Sequence, residues 1–461
     1  MCTIIFYIAA IKSVIYFFNS NLEILFRLVL DTQNLYIFNF HFRVLKMKIG
    51  VELEFFICHK SDETFYMPDI ISRYLKYNSG FISMQKDSNG ICIKAKNELG
   101  VTISFEFTYS IIEFSIDPQY DILSLHSIIN TAIYDFSLFI DHYELMLISH
   151  GIAPFNIQFK YVNNPYYKLI REFHGNDNIA KICSSQSHID YKDEDLIKII
   201  NTYNKCNWIN ALLFSNSPHI VNSNKTILCY RDYIWKFSSH GRDSNNILIS
   251  KEFNDIEDLN AFNNSKLIFM VYRESKPILL SQIPFNQYVT LKQVKGLQFD
   301  EDCISETWIH PSVDDYKYLR SYQNVAITNR RTIEIRSDCQ QPFNRLIYPA
   351  VFNFGLKQAV NEVSSYLNNI NFNFFQLRDD VVQNGFDTKI VESKKWLTGI
   401  SINILYIIKE KYRSRGFGEE KYVDVLINQM IEEINPAIEY LSIKNKKEYF
   451  MAEWRDFLKS K

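Results

Sequence analysis

Five short segments of the chain alternate apolar residues with Glu, His, Arg or hydroxyl side chains: 48–58, 101–107, 111–116, 184–191 and 330–337. Side chains alternate across a strand, so residues two apart share a face. Each segment therefore reads as a strand with one face for a core and one polar face. Helical stretches lie between them without a regular βαβ rhythm. This combination predicts an α+β protein built on an antiparallel sheet.

The polar faces carry the chemistry. In Val51-Glu52-Leu53-Glu54-Phe55 the two glutamates share one face and the apolar residues the other. Glu106 shares a face with Thr102 and Ser104. Glu113 lies seven residues further on, beside Ile111 and Ser115. Seven is odd, so the two acids reach one site only through a bend or turn, most simply at Tyr109-Ser110. Gln186, His188 and Asp190 share a third face, and Glu334 and Arg336 a fourth. Taken singly, each is the ordinary pattern of a solvated strand face, a hydrogen-bonded histidine or a surface ion pair. Together they gather many carboxylates, which repel one another unless a cation neutralises them. Carboxylate oxygens with one imidazole suit Mg2+ or Mn2+. A neighbouring arginine suits a phosphate, which it grips with two parallel hydrogen bonds. The inferred chemistry is metal-assisted phosphoryl transfer. No GxxxxGK[ST] loop and no kinase signature set is present.

These pieces, in this order, resemble the glutamate-cysteine ligases of the carboxylate-amine ligase superfamily, which has the glutamine synthetase fold. The matching stretches are GVELEF (50–55), EFTYSIIEFSIDP (106–118), QSHID (186–190), ALLFSNSPHI (211–220), YRDYIW (230–235) and RTIEIRSDCQQP (331–342). The resemblance implies a curved antiparallel sheet forming a funnel with helices outside. It implies that Glu52, Glu54, Glu106, Glu113, His188 and Glu334 bind Mg2+ or Mn2+. It assigns Arg336 to the γ-phosphate of ATP and Arg231 to a carboxylate of the substrate glutamate. The implied reaction activates L-glutamate as γ-glutamyl phosphate and passes it to the amine of L-cysteine, the first step of glutathione biosynthesis. Another amine as acceptor is the nearer alternative. A non-catalytic, membrane-associated binding protein of the same fold is the further one. The acceptor pocket is expected from 240–266, read as mostly loop with one short helix, and from 300–320.

Composition limits the remaining choices. The 461 residues are 47% hydrophobic and 22% charged, with a net charge of −2, which excludes global disorder and gives no basic domain for nucleic acid. Length alone allows about three domains or one large one. Eight cysteines contain no CxxC pair, as expected of reduced thiols in a cytoplasmic protein. Residues 3–18 are apolar but interrupted by Lys12. They are too short to span a bilayer and lack the marks of a signal peptide. The sequence predicts that 1–46 is an atypical leader preceding a natural start at Met47, with an anchor as the rival. Residues 47–461 are then one catalytic domain with a helical end. Further helices are expected over 120–150, 193–214, 352–367, 390–410 and 419–441, and a break in the second acidic strand at Asp117-Pro118.

Overall fold

The computed structural model describes residues 47–461 except 62–66, 156, 158, 176, 223–224, 240–248, 302, 321–322, 391–393 and 461. The leader 1–46 lies outside the described residues. Lys48–Lys461 form one compact unit.

The main sheet has nine strands. They are β1 (Ile49–His59), β2 (Phe81–Lys86), β3 (Cys92–Asn97), β4 (Val101–Glu106), β5 (Thr108–Gln119), β6 (Leu145–Ile148), β7 (Ser184–Asp190), β14 (Val325–Ile327) and β15 (Thr332–Cys339). Their spatial order is β14-β15-β7-β1-β5-β4-β3-β2, with β6 added against the far end of β1. Every pairing is antiparallel. Between β7 and β14 the chain makes a small hairpin, β8 (His219–Asn222) and β9 (Lys225–Ile227), and a four-stranded antiparallel meander. The meander strands are β10 (Leu267–Arg273), β11 (Lys276–Pro284), β12 (Val294–Phe299) and β13 (Ile304–Ile309).

The apolar strand faces pack on helices. Val51, Leu53 and Phe55 are buried. Phe55 meets Phe114 edge-on at 5.9 Å, and Phe114 meets Phe136 at 5.5 Å. That chain of rings links β1 and β5 to the helix Ile122–Asp141, which Asp121 caps by accepting from the Ser124 N–H at 2.7 Å. This helix is long and apolar enough to cross a membrane by length and composition. Here Ile122, Leu125, Ile129, Ile133 and Phe136 are buried, as in a core helix of a globular fold. Helices Leu196–Phe214 and Tyr348–Gln358 lie behind β15 and β7. The C-terminal helices are tied in by Glu419, whose carboxylate accepts from the Ile122 N–H at 2.9 Å and meets Arg415 Nε at 2.7 Å.

Several expected boundaries move. The apolar run expected to be one helix to residue 150 divides into Ile122–Asp141 and the buried strand β6, with Glu144 at φ 54° turning the chain. A short, fully buried strand has no alternation to separate it from a helix. Strand β5 continues through Asp117-Pro118 to Gln119. Ile49 pairs with Gln119 and Val51 with Ile116, so Asp117 and Pro118 together face Gly50. Such a bulge accommodates a residue with no N–H to donate. A Cβ on Gly50 would stand 2.9 Å from the Ile116 carbonyl oxygen. The tail holds more helices than expected: 352–367 is split into Tyr348–Gln358 and Val360–Asn368, and Pro436–Ser442 starts anew with Asn435 as its cap.

Candidate active site

Five consecutive strands, β15-β7-β1-β5-β4, present their polar faces to one cavity of about 880 Å³. Glu52, Glu54, Glu106, Glu113, His188, Glu334, Arg336 and Arg231 all line it. Register explains the gathering. Glu334 stands opposite His188, His188 opposite Gly50, Glu52 opposite Gln186, and Glu54 opposite Glu113. The odd spacing of Glu106 and Glu113 is resolved by a hairpin. Ser104 pairs with Glu113, so Glu106, two residues along β4, shares Glu113's side of the sheet. The reversal comes at Phe107, which adopts φ 52°, rather than at Tyr109-Ser110. The register shift between Phe105 and Glu106 accompanies it.

Within the cavity, Glu52, His188 and Glu334 bring ligand atoms to within 4.8 Å of one another. His188 Nε2 is 3.2 Å from Glu52 Oε1. Arg336 Nη1 donates to Glu334 Oε1 at 2.7 Å. Glu54 accepts from the Ser184 N–H at 2.7 Å and from Gln186 Nε2 at 3.4 Å. The Ser115 hydroxyl donates to Glu113 at 2.6 Å and Ser104 at 3.4 Å. Glu54, Glu106 and Glu113 line the same cavity without joining the close three-residue group.

The electrostatics divide these acids. Burial, then the charges of Glu54 and Glu52, push the Glu106 carboxyl up to about 8. Burial, Glu52 and Glu106 push Glu113 well above the carboxylate range. Burial also raises Glu54, against the pull of Arg231 and Ser184. For Glu52, burial opposes ionisation, but His188 and Arg336 outweigh it and lower the pKa. For His188, burial opposes the charged ring, and Glu52 and Glu334 outweigh that and raise it. Part of the acid set thus holds protons at neutral pH unless divalent cations take their place.

Arg231 enters from the helix Tyr230–Lys236 and is 5% exposed. The backbone N–H groups of Tyr230 and Arg231 donate to the Ser217 carbonyl and hydroxyl, at 3.0 and 3.1 Å. This joins the ALLFSNSPHI and YRDYIW stretches. The adjacent Asp232 is taken by Arg378 at 2.6 Å. It lies 3.8 Å from Arg231 Nη1, and Arg231 Nε has no hydrogen-bond partner among the described residues. A buried guanidinium has the charge and the planar fork to bind a carboxylate or phosphate.

The segments expected to form the acceptor pocket also reach the cavity, through Asn260, Asn263 and Lys266 on one and Tyr316, Lys317 and Arg320 on the other. Residues 240–248 lie outside the described residues. Sequence reading missed Tyr166, Tyr167, Gln323 and Arg330, which also line it. Of these, Tyr166 and Tyr167 belong to a helix, Pro165–His174, and Gln323 lies outside every alternating segment, whereas Arg330 heads the alternation of 330–337, on the parity of Glu334 and Arg336, and was not singled out.

No protein-family model and no curated protein sequence matches the chain. Solved structures do. A bifunctional glutathione synthetase from Pasteurella multocida superposes with a TM-score of 0.55 over 92% of this chain at 9% identity. Glutamate-cysteine ligase from Francisella tularensis, solved in complex with AMP, gives 0.50 over 90% at 12% identity. The chain shares their fold. It spans 54% of the Pasteurella protein's length and 89% of the Francisella protein's.

Proposed function

We propose that the chain is an ATP-dependent carboxylate-amine ligase that makes a γ-glutamyl amide, with L-cysteine as the acceptor. The observation that carries this reading is the delivery of acids, one histidine and one arginine from five adjacent strands to one cavity, in a fold shared with glutamate-cysteine ligase. A funnel-like curvature of the sheet and a cytoplasmic location belong to the same proposal.

Glu52, Glu54, Glu106, Glu113, His188 and Glu334 would hold Mg2+ or Mn2+. Bound there, such ions supply charge neutralisation between a carboxylate nucleophile and a triphosphate. Arg231 holds and orients a substrate carboxylate. Arg336, fixed by Glu334, offers its guanidinium to the phosphoryl oxygens as their charge redistributes. The γ-carboxylate of glutamate attacks the terminal phosphorus of ATP and ADP leaves. The amine then attacks the acyl phosphate and phosphate leaves.

The test is phosphate release by the full chain with ATP, Mg2+ and L-glutamate against a panel of amines. Cysteine-dependent release supports the whole reading. Release with a different amine keeps the ligase and changes the acceptor. No release with any amine, from protein that binds ATP, would overturn it in favour of a non-catalytic binding protein.

A further inference from the structure

The lining of the cavity also contains a buried cation, Lys266, with no carboxylate beside it among the described residues. Lys266 follows the helix Ile256–Asn264 and is 7% exposed. Its ammonium donates to Asn263 Oδ1 at 2.6 Å and Gln323 Oε1 at 2.7 Å, and stands 5.2 Å from the centre of the Phe262 ring. These partners are all neutral. No carboxylate lies within ion-pair distance of Lys266 among the described residues. Burial without a counter-charge pulls its pKa down to about 7.

A second observation points the same way. Gln323 also lines the cavity and is 4% exposed. Its Oε1 faces the ammonium, which fixes the orientation of the amide, and its Nε2 donor has no partner among the described residues. Buried donors are ordinarily satisfied. The lining residues thus include an amide N–H group without a partner among the described residues and a lysine whose partners are all neutral. An anionic oxygen group would satisfy both.

We propose that Lys266 and Gln323 form an anion subsite in the lining of the cavity, which takes one carboxylate or phosphate group of a substrate. The identity of the anion rests on the ligase reading. A carboxylate would come from an amino-acid substrate and a phosphate from the nucleotide. The subsite itself rests only on the buried donors.

Direct binding tests it in the full chain. Titration calorimetry with Mg-ATP, inorganic phosphate, L-glutamate and L-cysteine is compared for wild type, Lys266→Met, Lys266→Arg and Gln323→Leu. Mn2+ binding followed by electron paramagnetic resonance reports that the acid cluster is intact. Lys266→Met is expected to weaken one class of anion at least tenfold, Lys266→Arg to restore most of that, and Gln323→Leu to weaken the same class less. Loss confined to ATP and phosphate assigns the subsite to the nucleotide. Loss confined to the amino acids assigns it to a substrate carboxylate. Dissociation constants within twofold of wild type for every probe, in variants that still bind Mn2+, would make Lys266 a purely structural residue and overturn the subsite. If Lys266→Met does not fold, Gln323→Leu decides by the same criterion. A wild-type chain that binds these anions but never releases phosphate from ATP would sink the ligase reading and leave the subsite standing.

Discussion

Glu54 and Glu113 stand directly opposite each other across β1 and β5. Like charges facing each other on a sheet destabilise it, and this pair, with Glu113 buried and Glu54 half-buried, lies close to Glu52 and Glu106. Hydrogen bonds from Ser184, Gln186 and Ser115 moderate the repulsion, yet both carboxyls remain raised above their ordinary range. The arrangement makes sense as a cation site whose stability depends on what neutralises it.

That dependence sets the sign of a pH effect. An acid whose folded pKa is raised keeps a proton that the unfolded chain has lost. Its contribution is therefore full below the unfolded value and disappears as pH rises through the folded one. Glu106, raised to about 8, carries the window at least that far, and Glu54, Glu113 and His188 act in the same direction. In chelator, the melting temperature is expected to fall between about pH 5 and 8. Added Mg2+ or Mn2+ should raise it more at pH 8 than at pH 6. A chelated melting temperature that is flat or rising over this interval, with no response to metal, would remove the cation site.

Replacing Glu113 by Gln separates stability from binding. At pH 8 in chelator the variant should be more stable than wild type by up to ~1 kcal/mol, since a repulsive partner of Glu54 is gone. The same variant should bind Mn2+ at least tenfold more weakly. Denaturant melts and Mn2+ titration read the two effects. Unchanged Mn2+ affinity would take Glu113 out of the metal set.

The strand faces were legible because alternation puts functional side chains at fixed parity. Glu52 and Glu54, His188, and Glu334 with Arg336 could be placed from local pattern alone, and the register then brought them together. Glu106 and Glu113 needed a reversal whose position no local rule specified. A non-glycine residue, Phe107, adopts the left-handed conformation there. The bulge opposite Gly50 let Pro118 remain in a strand. Gln323 was invisible because it lies outside the alternating strands, and only tertiary packing sets its neighbours; Lys266 and Arg330 fall within the stretches 240–266 and 330–337, where no local rule distinguishes them from a solvated lysine or arginine.

Asp338 illustrates a motif residue with a different duty. It lies two residues beyond Arg336 on β15, but the strand shifts register between Ile335 and Asp338. Its carboxylate accepts from Asn210 and Asn353, both at 2.9 Å, on the helices behind the sheet. Asp338→Ala takes one acceptor from each of these buried amides, which keep their bonds to each other and to Ser187, and should cost about 2 kcal/mol in a denaturant melt. Mn2+ affinity of the folded fraction should stay within twofold. A large loss of metal affinity with unchanged stability would move Asp338 into the site.

Arg231 is expected to act in binding. Its guanidinium is buried, its neighbour Asp232 is held by Arg378, and its Nε has no acceptor among the described residues. Arg231→Lys keeps the charge and loses the planar fork. Glutamate KM should rise at least tenfold with a smaller change in kcat, the signature of uniform binding. Steady-state kinetics at saturating ATP measure this. A fall in kcat at constant KM would reassign Arg231 to the chemical step.

Arg336 should show the opposite split. It shares a strand face with Glu334 and donates to it at 2.7 Å, so one strand supplies a carboxylate of the close Glu52–His188–Glu334 group and a guanidinium beside it. Glu334 accepts from Nη1 of the guanidinium, which holds the planar group in the lining of the cavity. Arginine contacts of this kind are worth ~10³-fold or more in rate, because the charge they meet grows in the transition state. Lysine keeps one positive charge and loses the second parallel hydrogen bond. Arg336→Lys should therefore lower kcat by about two to three orders of magnitude while glutamate KM changes little. Removing the charge altogether, as in Arg336→Met, also strips Glu334 and Glu52 of a neighbour, so the lysine variant is the cleaner probe. Near-normal kcat in Arg336→Lys would leave Arg336 as the ion-pair partner of Glu334 and nothing more.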